Sequence, residues 1–358
     1  MAFDMYATRR LIQAVEGINP ADSFLRDRYF PTNGTMDVFN SAKVLCEYKD
    51  GDNRLAPIVA PHSGSVAMTR AAVHMYEYEP PEICPSRPLG IDEVSTRGFG
   101  EALCGDMSPQ QREQVMLMQD MVELDNAITR REESMAASTL INNACTLNVT
   151  GEDASISESY EVRYFDETTN PASYTVTTKW DASTADILGD LNQMASMLTR
   201  KGLPASDLVC SPDVADAIIN NAGVQKMLDN RRIEIGEAAP KLEAPGAAIV
   251  CQLNVRGRII SVISYDQVYT DPADNTTKLY IPSGIAVMTA PAAGHTVYGA
   301  VSQIEQADGQ LHTYAKSRVP QYIADANSNT RNLRMTARPL CLPYNRNAFI
   351  AAKSLLTA

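Results

Sequence analysis

Residues 108–144 constrain this chain more than any other stretch. After Pro109 no Gly or Pro occurs until Gly151. Ser108 suits an N-cap, Pro109 the first helical position, and Gln111 stands three residues after the cap, as in a capping box. Leu117, Met121, Leu124, Ile128 and Met135 follow at steps of four, three, four and seven, which places them on one face of a helix. That face is interrupted at Arg131 and Glu132. At 1.5 Å per residue the helix is about 50 Å long, more than the width of a compact small domain, so it must act as a strut. The rest of the chain has to be arranged around it.

A chain of 358 residues buries a large core and predicts two or three substructures. Its net charge of -12 argues against sequence-specific nucleic-acid binding, which needs a basic patch, but permits a shell that encloses nucleic acid without gripping it. The seven cysteines (46, 84, 104, 145, 210, 251, 341) form no C-x-x-C pair and are odd in number, so reduced thiols are expected in place of a disulfide framework or zinc ribbon. No apolar run approaches the roughly 18 residues of a membrane span, and MAFDMYATRRL lacks the apolar core of a signal peptide. These features predict a protein made and kept inside a cell, with no membrane partner.

Taken in order, residues 1–45 carry a short helix over Ala7–Val15 and then too little apolar pattern for a core of their own, so they are expected to run as an arm over another surface. From Lys43 to Glu79 the pattern is that of strands, with turn dipeptides at Asp50-Gly51 and Ser63-Gly64, an antiparallel excursion that needs a neighbouring surface to be stable. Prolines 80, 81, 85 and 88 precede the long helix, and a polar β-meander follows it. Between Asp181 and Ala290 the chain becomes mixed α/β. Ser183 is the expected cap of a helix over Ile187–Thr199, DLVCSP reads as a buried strand, and Ser211-Pro212 opens a second helix. Strand-like segments return from Thr296 to Ala358, so a C-terminal sheet closing on the first substructure makes the mixed region an insertion.

No constellation for catalysis or cofactor binding emerges. GFG at 98–100 has Leu103 where a dinucleotide fingerprint needs its third glycine, and no phosphate-binding loop motif occurs. Ser65 lies in S-G-S-V, without a nucleophile elbow. The four histidines (62, 74, 295, 312) lack partners at metal-binding spacing and read as surface or loop residues. The acidic pairs Asp50/Asp52, Glu132/Glu133 and Asp271/Asp274 lack the order of a calcium loop and read as solvated surface. Arg130-Arg131 and Arg231-Arg232 read as solvated or ion-paired faces. Neither an enzyme activity, a cofactor nor a metal is expected.

An arm, a ribbon without its own core, a strut helix, an inserted domain and a closing sheet are the parts of a shell subunit. In order and spacing, Met5-Tyr6 with Leu11, Phe24-Leu25-Arg26, Tyr29-Phe30, Pro57-Ile58-Val59 and Pro80-Pro81-Glu82 resemble the tailed-phage major capsid proteins of the Hong Kong 97-like fold. The closer resemblance is to the lambda-type major head protein, or capsid protein E, family. Tyr265-Asp266, Val268-Tyr269, Ile281-Pro282-Ser283-Gly284, Tyr298-Gly299, Ser317-Arg318 before Pro320, Pro339-Leu340, Asn345 and Asn347-Ala348 extend it over most of the chain. The chain departs from the family with Val319 where an aromatic precedes Pro320.

The resemblance implies an α+β fold with an N-terminal arm (1–45), an E-loop (46–83), a peripheral domain (84–180, with the spine helix over 108–144), an axial domain (181–300) and a return to the peripheral domain (301–358). It implies a major capsid protein of a tailed bacteriophage that self-assembles into hexamers and pentamers of an icosahedral shell around double-stranded DNA, aided by scaffold and portal proteins and in many cases a decoration protein. Assembly is then expected in the host bacterial cytoplasm. Ile58, Val59, Val66 and Met68, which have no local core to enter, become the expected inter-subunit contacts of the E-loop. Leu117, Met121, Leu124, Ile128 and Met135 become the buried face of the spine. An encapsulin-like compartment shell shares the fold implied, and a cytosolic α/β enzyme is the remaining alternative.

Overall fold

The computed structural model describes residues 11–12, 23–49, 73–90, 108–150, 156–228, 236–237, 241–272, 275–306, 309–325 and 330–357. Its longest element is the helix Pro109–Asn142, whose start is built as its sequence suggests. The Gln111 amide donates to Ser108 Oγ at 3.3 Å, while the Ser108 amide donates to Gln111 Oε1 at 2.9 Å, so the cap and N3 residues satisfy each other's backbone. The helix stops where Asn143 turns into the left-handed region at φ 53°, its amide still reaching Thr139 O at 2.9 Å. Asn143 Nδ2 then donates to Asn347 Oδ1 at 2.8 Å, tying the end of the spine to the C-terminal segment.

Burial changes along this helix. In its first half one face is covered: Leu117, Met121, Leu124 and Ile128 pack with Leu11 and with Leu333, Met335 and Ala337 of the strand Thr330–Thr336 and the residue after it. In its second half burial is broader: Thr129, Glu132, Glu133, Met135, Ala136, Ala137, Thr139, Leu140 and Ile141 are all buried, while the face of Arg130, Arg131, Ser134 and Ser138 stays partly open. Most of the helix circumference there is covered by the rest of the molecule.

What surrounds it on one side is a mixed eight-stranded sheet. Its order is Ser173–Tyr174, Ile350–Ala352, Ala286–Thr289, Asp207–Cys210, Arg258–Tyr265, Ala247–Val255 and Gly236–Glu237, with Lys241–Ala244 also pairing on Ala247–Val255. The sheet divides two hydrophobic clusters by the two-residue alternation of its strands. Leu208, Cys210, Leu253, Val262, Met288 and Ile350 face the helices Ile187–Thr199, Pro212–Asn220 and Ala222–Leu228. Val209, Ile249, Ile263, Val287 and Ala351 face the other way, toward the cluster that holds the end of the spine. Asp207–Cys210, buried at every position, is thus covered on both faces, as its apolar run suggests.

Three local expectations are corrected. The helix at 187 is capped by Asp186, whose Oδ1 accepts from the Gly189 amide at 3.0 Å, and not by Ser183. The polar meander after the spine is a hairpin of Ala144–Thr150 with Ile156–Arg163, whereas Ser173–Tyr174 joins the mixed sheet in parallel with Ile350–Ala352. Residues 24–30 do not lie on a foreign surface: Phe24, Leu25, Tyr29 and Phe30 are part of the subunit's own largest cluster. No period shows there because the helix Phe24–Tyr29 is only about a turn and a half long and buries just Phe24, Leu25 and Tyr29.

Candidate assembly site

The spine's two adjacent glutamates organise the interior. Glu132 is fully buried, and its carboxylate accepts from Arg26 Nη1 at 2.6 Å and from Arg318 Nη1 and Nη2 at 2.7 and 3.0 Å. Arg318 Nε donates in turn to Asp125 Oδ1 at 2.8 Å, about two turns back on the same face of the spine, and its guanidinium lies 5.9 Å from the Tyr298 ring centre. Burial pushes the Glu132 carboxyl up, but Arg318 and Arg26 outweigh it and hold the group below the usual carboxylate range.

Glu133 points to a different partner. Its Oε1 accepts from the Leu25 amide at 2.7 Å and the Tyr265 hydroxyl at 2.7 Å, and its Oε2 from the Arg26 amide at 2.9 Å. These are orphan N–H groups at the start of the helix Phe24–Tyr29, where Ser23 makes no side-chain cap. A glutamate 107 or 108 residues away therefore caps that helix, with its charge at the favourable end of the dipole. Burial holds the Glu133 carboxyl above its usual value, and the same burial and the nearby carboxylate raise the Tyr265 phenol.

From this anchor residues 28–41 run along the C-terminal half of the chain. Arg28 Nε and the Tyr29 hydroxyl reach Asp207 Oδ2 at 2.7 and 3.1 Å; the Ala292 amide donates to Arg28 O, Thr296 Oγ1 to Phe30 O, the Phe39 amide to Tyr298 O and the Ala300 amide to Ser41 O. The close approach requires glycine at 294, where an added Cβ would stand 2.6 Å from the Phe30 ring and 2.3 Å from Leu342 O. Segment 23–41 thus ties the spine, the mixed sheet and the strand Gly294–Tyr298 into one body.

Out of that body rises an antiparallel ribbon, Val44–Lys49 with Val73–Tyr78. Its alternation has two consequences. Val44, Cys46 and Tyr78 turn inward, with the Tyr78 ring 5.5 Å from that of Tyr164. Leu45 and Met75 turn outward at 53 % and 64 % exposure, diagonal neighbours on a face they share with Glu47 and Glu77. A second outward pair, Ile304 opposite Leu311, stands on the hairpin Val301–Ile304 with Leu311–Tyr314. Scattered exposed apolar side chains are ordinary, whereas these two pairs are each neighbours on one face of a two-stranded ladder.

The expected spine face is placed as one buried row, although Met135 belongs to a different cluster from Leu117, Met121, Leu124 and Ile128. Ile58, Val59, Val66 and Met68 lie outside the described residues. The reading of Glu132/Glu133 as solvated surface is overturned, because both are buried and fully partnered. Sequence did carry a signal for them: four charges, Arg130 to Glu133, stand between core positions Ile128 and Met135, and those of them that turn inward survive only with partners. His295 is half-buried on a strand, its ring 4.5 Å from that of Tyr344, and is not a loop residue. Among the described residues no group of three metal-ligating side chains occurs, and no helix is long and apolar enough to cross a membrane.

A strut helix packed against a mixed sheet, a tied-down N-terminal segment and a two-stranded ribbon are the parts of one class: this is the Hong Kong 97-like fold of phage capsid subunits. A candidate capsid protein of a prophage from E. coli CFT073 has the same fold, with a TM-score of 0.62 at 15 % identity over 97 % of this chain and 98 % of that one. A phage-related protein from Bordetella bronchiseptica RB50 is similar at a TM-score of 0.51 and 9 % identity, over 97 % of each chain. No curated protein matches the sequence. Residues 7–354 match the phage major capsid protein E family, and the chain belongs to it. It is a phage major capsid protein, a structural subunit of the virion shell.

Proposed function

We propose that this chain builds the icosahedral head of a tailed bacteriophage, assembling in the host cytoplasm as hexamers and pentamers around double-stranded DNA. In this reading residues 1–45 are the arm, 46–83 the E-loop, 84–180 and 301–358 the peripheral domain, and 181–300 the axial domain. The observation that carries it is the ribbon 44–49/73–78, whose outer face offers Leu45 and Met75 to a neighbouring subunit while its inner face is held by its own. Scaffold and portal proteins direct closure, and a decoration protein is compatible with the outward hairpin pair Ile304 and Leu311. The chain carries out no catalysis.

Net charge supports the enclosed DNA being held by confinement. At -12 the subunit has no excess of cations to release counterions from the phosphate backbone. Particles purified after nuclease treatment test the reading: protected double-stranded DNA is expected inside them, and a protein cargo without DNA would favour a compartment shell instead. Free subunits in a gel shift at physiological salt are expected to bind DNA weakly and without sequence preference. Tight, sequence-dependent binding would contradict confinement.

A further inference from the structure

The ribbon leaves the body like a lever with a pivot and a prop. At the pivot, Gly299 lies where an added Cβ would be 3.1 Å from Ala42 O and 3.4 Å from Pro80 Cγ, so both chain segments at the ribbon's root press against one point. The Glu79 carboxylate beside it stands 3.5 Å from Arg338 Nη2. Further out, on the inner face, the Tyr76 hydroxyl donates to Asp166 Oδ2 at 2.8 Å. The same oxygen is 2.8 Å from Arg346 Nη2, whose guanidinium lies 5.6 Å from the Tyr76 ring centre. Asp166 belongs to the loop after the hairpin strand Ile156–Arg163, and Arg346 to the loop before Ile350–Ala352. Three parts of the chain, remote in sequence, thus meet at one carboxylate oxygen on the ribbon's flank.

The chemistry of the two contacts differs. The pivot is close packing, which has no intermediate setting. The prop is an ion pair and a phenol hydrogen bond around an Asp166 side chain that is 57 % exposed. Its Arg346 side chain is 16 % exposed, so the pair is half-buried; with one partner open to water it contributes modestly to stability and is weakened by salt. It can nevertheless select among ribbon angles, since a lever needs only a small bias to prefer one of several nearly equal positions.

We propose that Asp166 is a positioning residue that sets the angle of the ribbon through Tyr76 and Arg346, and thereby the curvature at which subunits join. The proposal rests on the shell reading. Because the prop is electrostatic and half open to solvent, its removal alters geometry without unfolding the subunit, and high salt weakens its ion pair.

Shells assembled from wild type and from Asp166→Asn are compared by electron microscopy at low salt and at about 1 M salt, where the screening length falls to roughly 3 Å. The expected result at low salt is a loss of uniform diameter in D166N, with open or irregular particles, at a melting temperature matching wild type. At high salt the gap between the two proteins narrows, because the wild-type ion pair is weakened. Tyr76→Phe, which keeps the ring and removes the phenol oxygen, is expected to fall between them, and it stands in for D166N should that variant not fold. Variant shells as uniform as wild type at low salt would overturn the proposal. So would defects that are equal at both salts and accompanied by a lowered melting temperature, which mark simple damage. Failure of wild type to form shells at all strikes the shell reading itself and is distinguishable from both.

Discussion

Glu132 and Glu133 are neighbours on one helix, yet their environments send them opposite ways. Glu132 sits between two guanidinium groups, so its folded carboxyl lies below the ordinary 4.5; Glu133 accepts from two backbone amides and a phenol and lies above it, because burial outweighs those donors. The sign follows by linkage. Glu132 contributes stability that is present above its unfolded value of 4.5 and lost as pH falls through its lower folded value, while Glu133 contributes less as pH rises from 4.5 through its raised value. Glu132→Gln should therefore be less stable at neutral pH but lose less on acidification below about pH 4.5 than wild type does, as read from melting temperature against pH. A parallel pair of curves would contradict the assignment of charge to Glu132. Arg318→Met removes one of the two cations and leaves Glu132 and Asp125 short of a buried partner, for which denaturant unfolding should show a loss of about 3–5 kcal/mol. A change under 1 kcal/mol would mean that solvent already reaches the site. At this scale sequence reading went half way: it found the break in the apolar face at Arg131 and Glu132 and the motifs containing Arg26, Tyr265 and Arg318, but not that they meet. Joining them takes contacts 106 to 186 residues apart, which no local periodicity encodes.

Elements were more legible than their joining. The capping box at Ser108, the buried strand at Asp207–Cys210 and the helix after Ser211-Pro212 all stand where local chemistry puts them. What was hidden was the sheet's membership. Ile350–Ala352 and Ser173–Tyr174 are too short to announce a partner, and they complete a sheet whose other strands lie between 207 and 289. The ribbon belongs to this scale as well. Its root is held by the subunit, but Leu45 and Met75 gain nothing from the fold, since they face solvent. Leu45→Asp with Met75→Asp should thus leave stability within about 0.5 kcal/mol per site and the circular dichroism spectrum unchanged, while shell formation is lost. Normal shells from this double variant would show that the outer face of the ribbon is not an inter-subunit contact.

The whole molecule belongs to the phage major capsid protein E family, and in the proposed reading its function lies in repetition. Segment 23–41 makes each subunit one body by joining the spine to the mixed sheet and to Gly294–Tyr298, so it can transmit load; the outward pairs on the ribbon and on the 301–314 hairpin then need a neighbour to be buried. Apolar surface of this kind repeated by symmetry is the source of strength in a closed assembly. The six cysteines among the described residues are free, so mature particles run on a denaturing gel without reductant should give single subunits, and ladders would point to covalent joining. The most direct measurement is electron microscopy of the purified wild-type protein under assembly conditions. Closed shells built from rings of subunits are the predicted result. A soluble monomer that forms no rings or shells at any concentration or salt would contradict it.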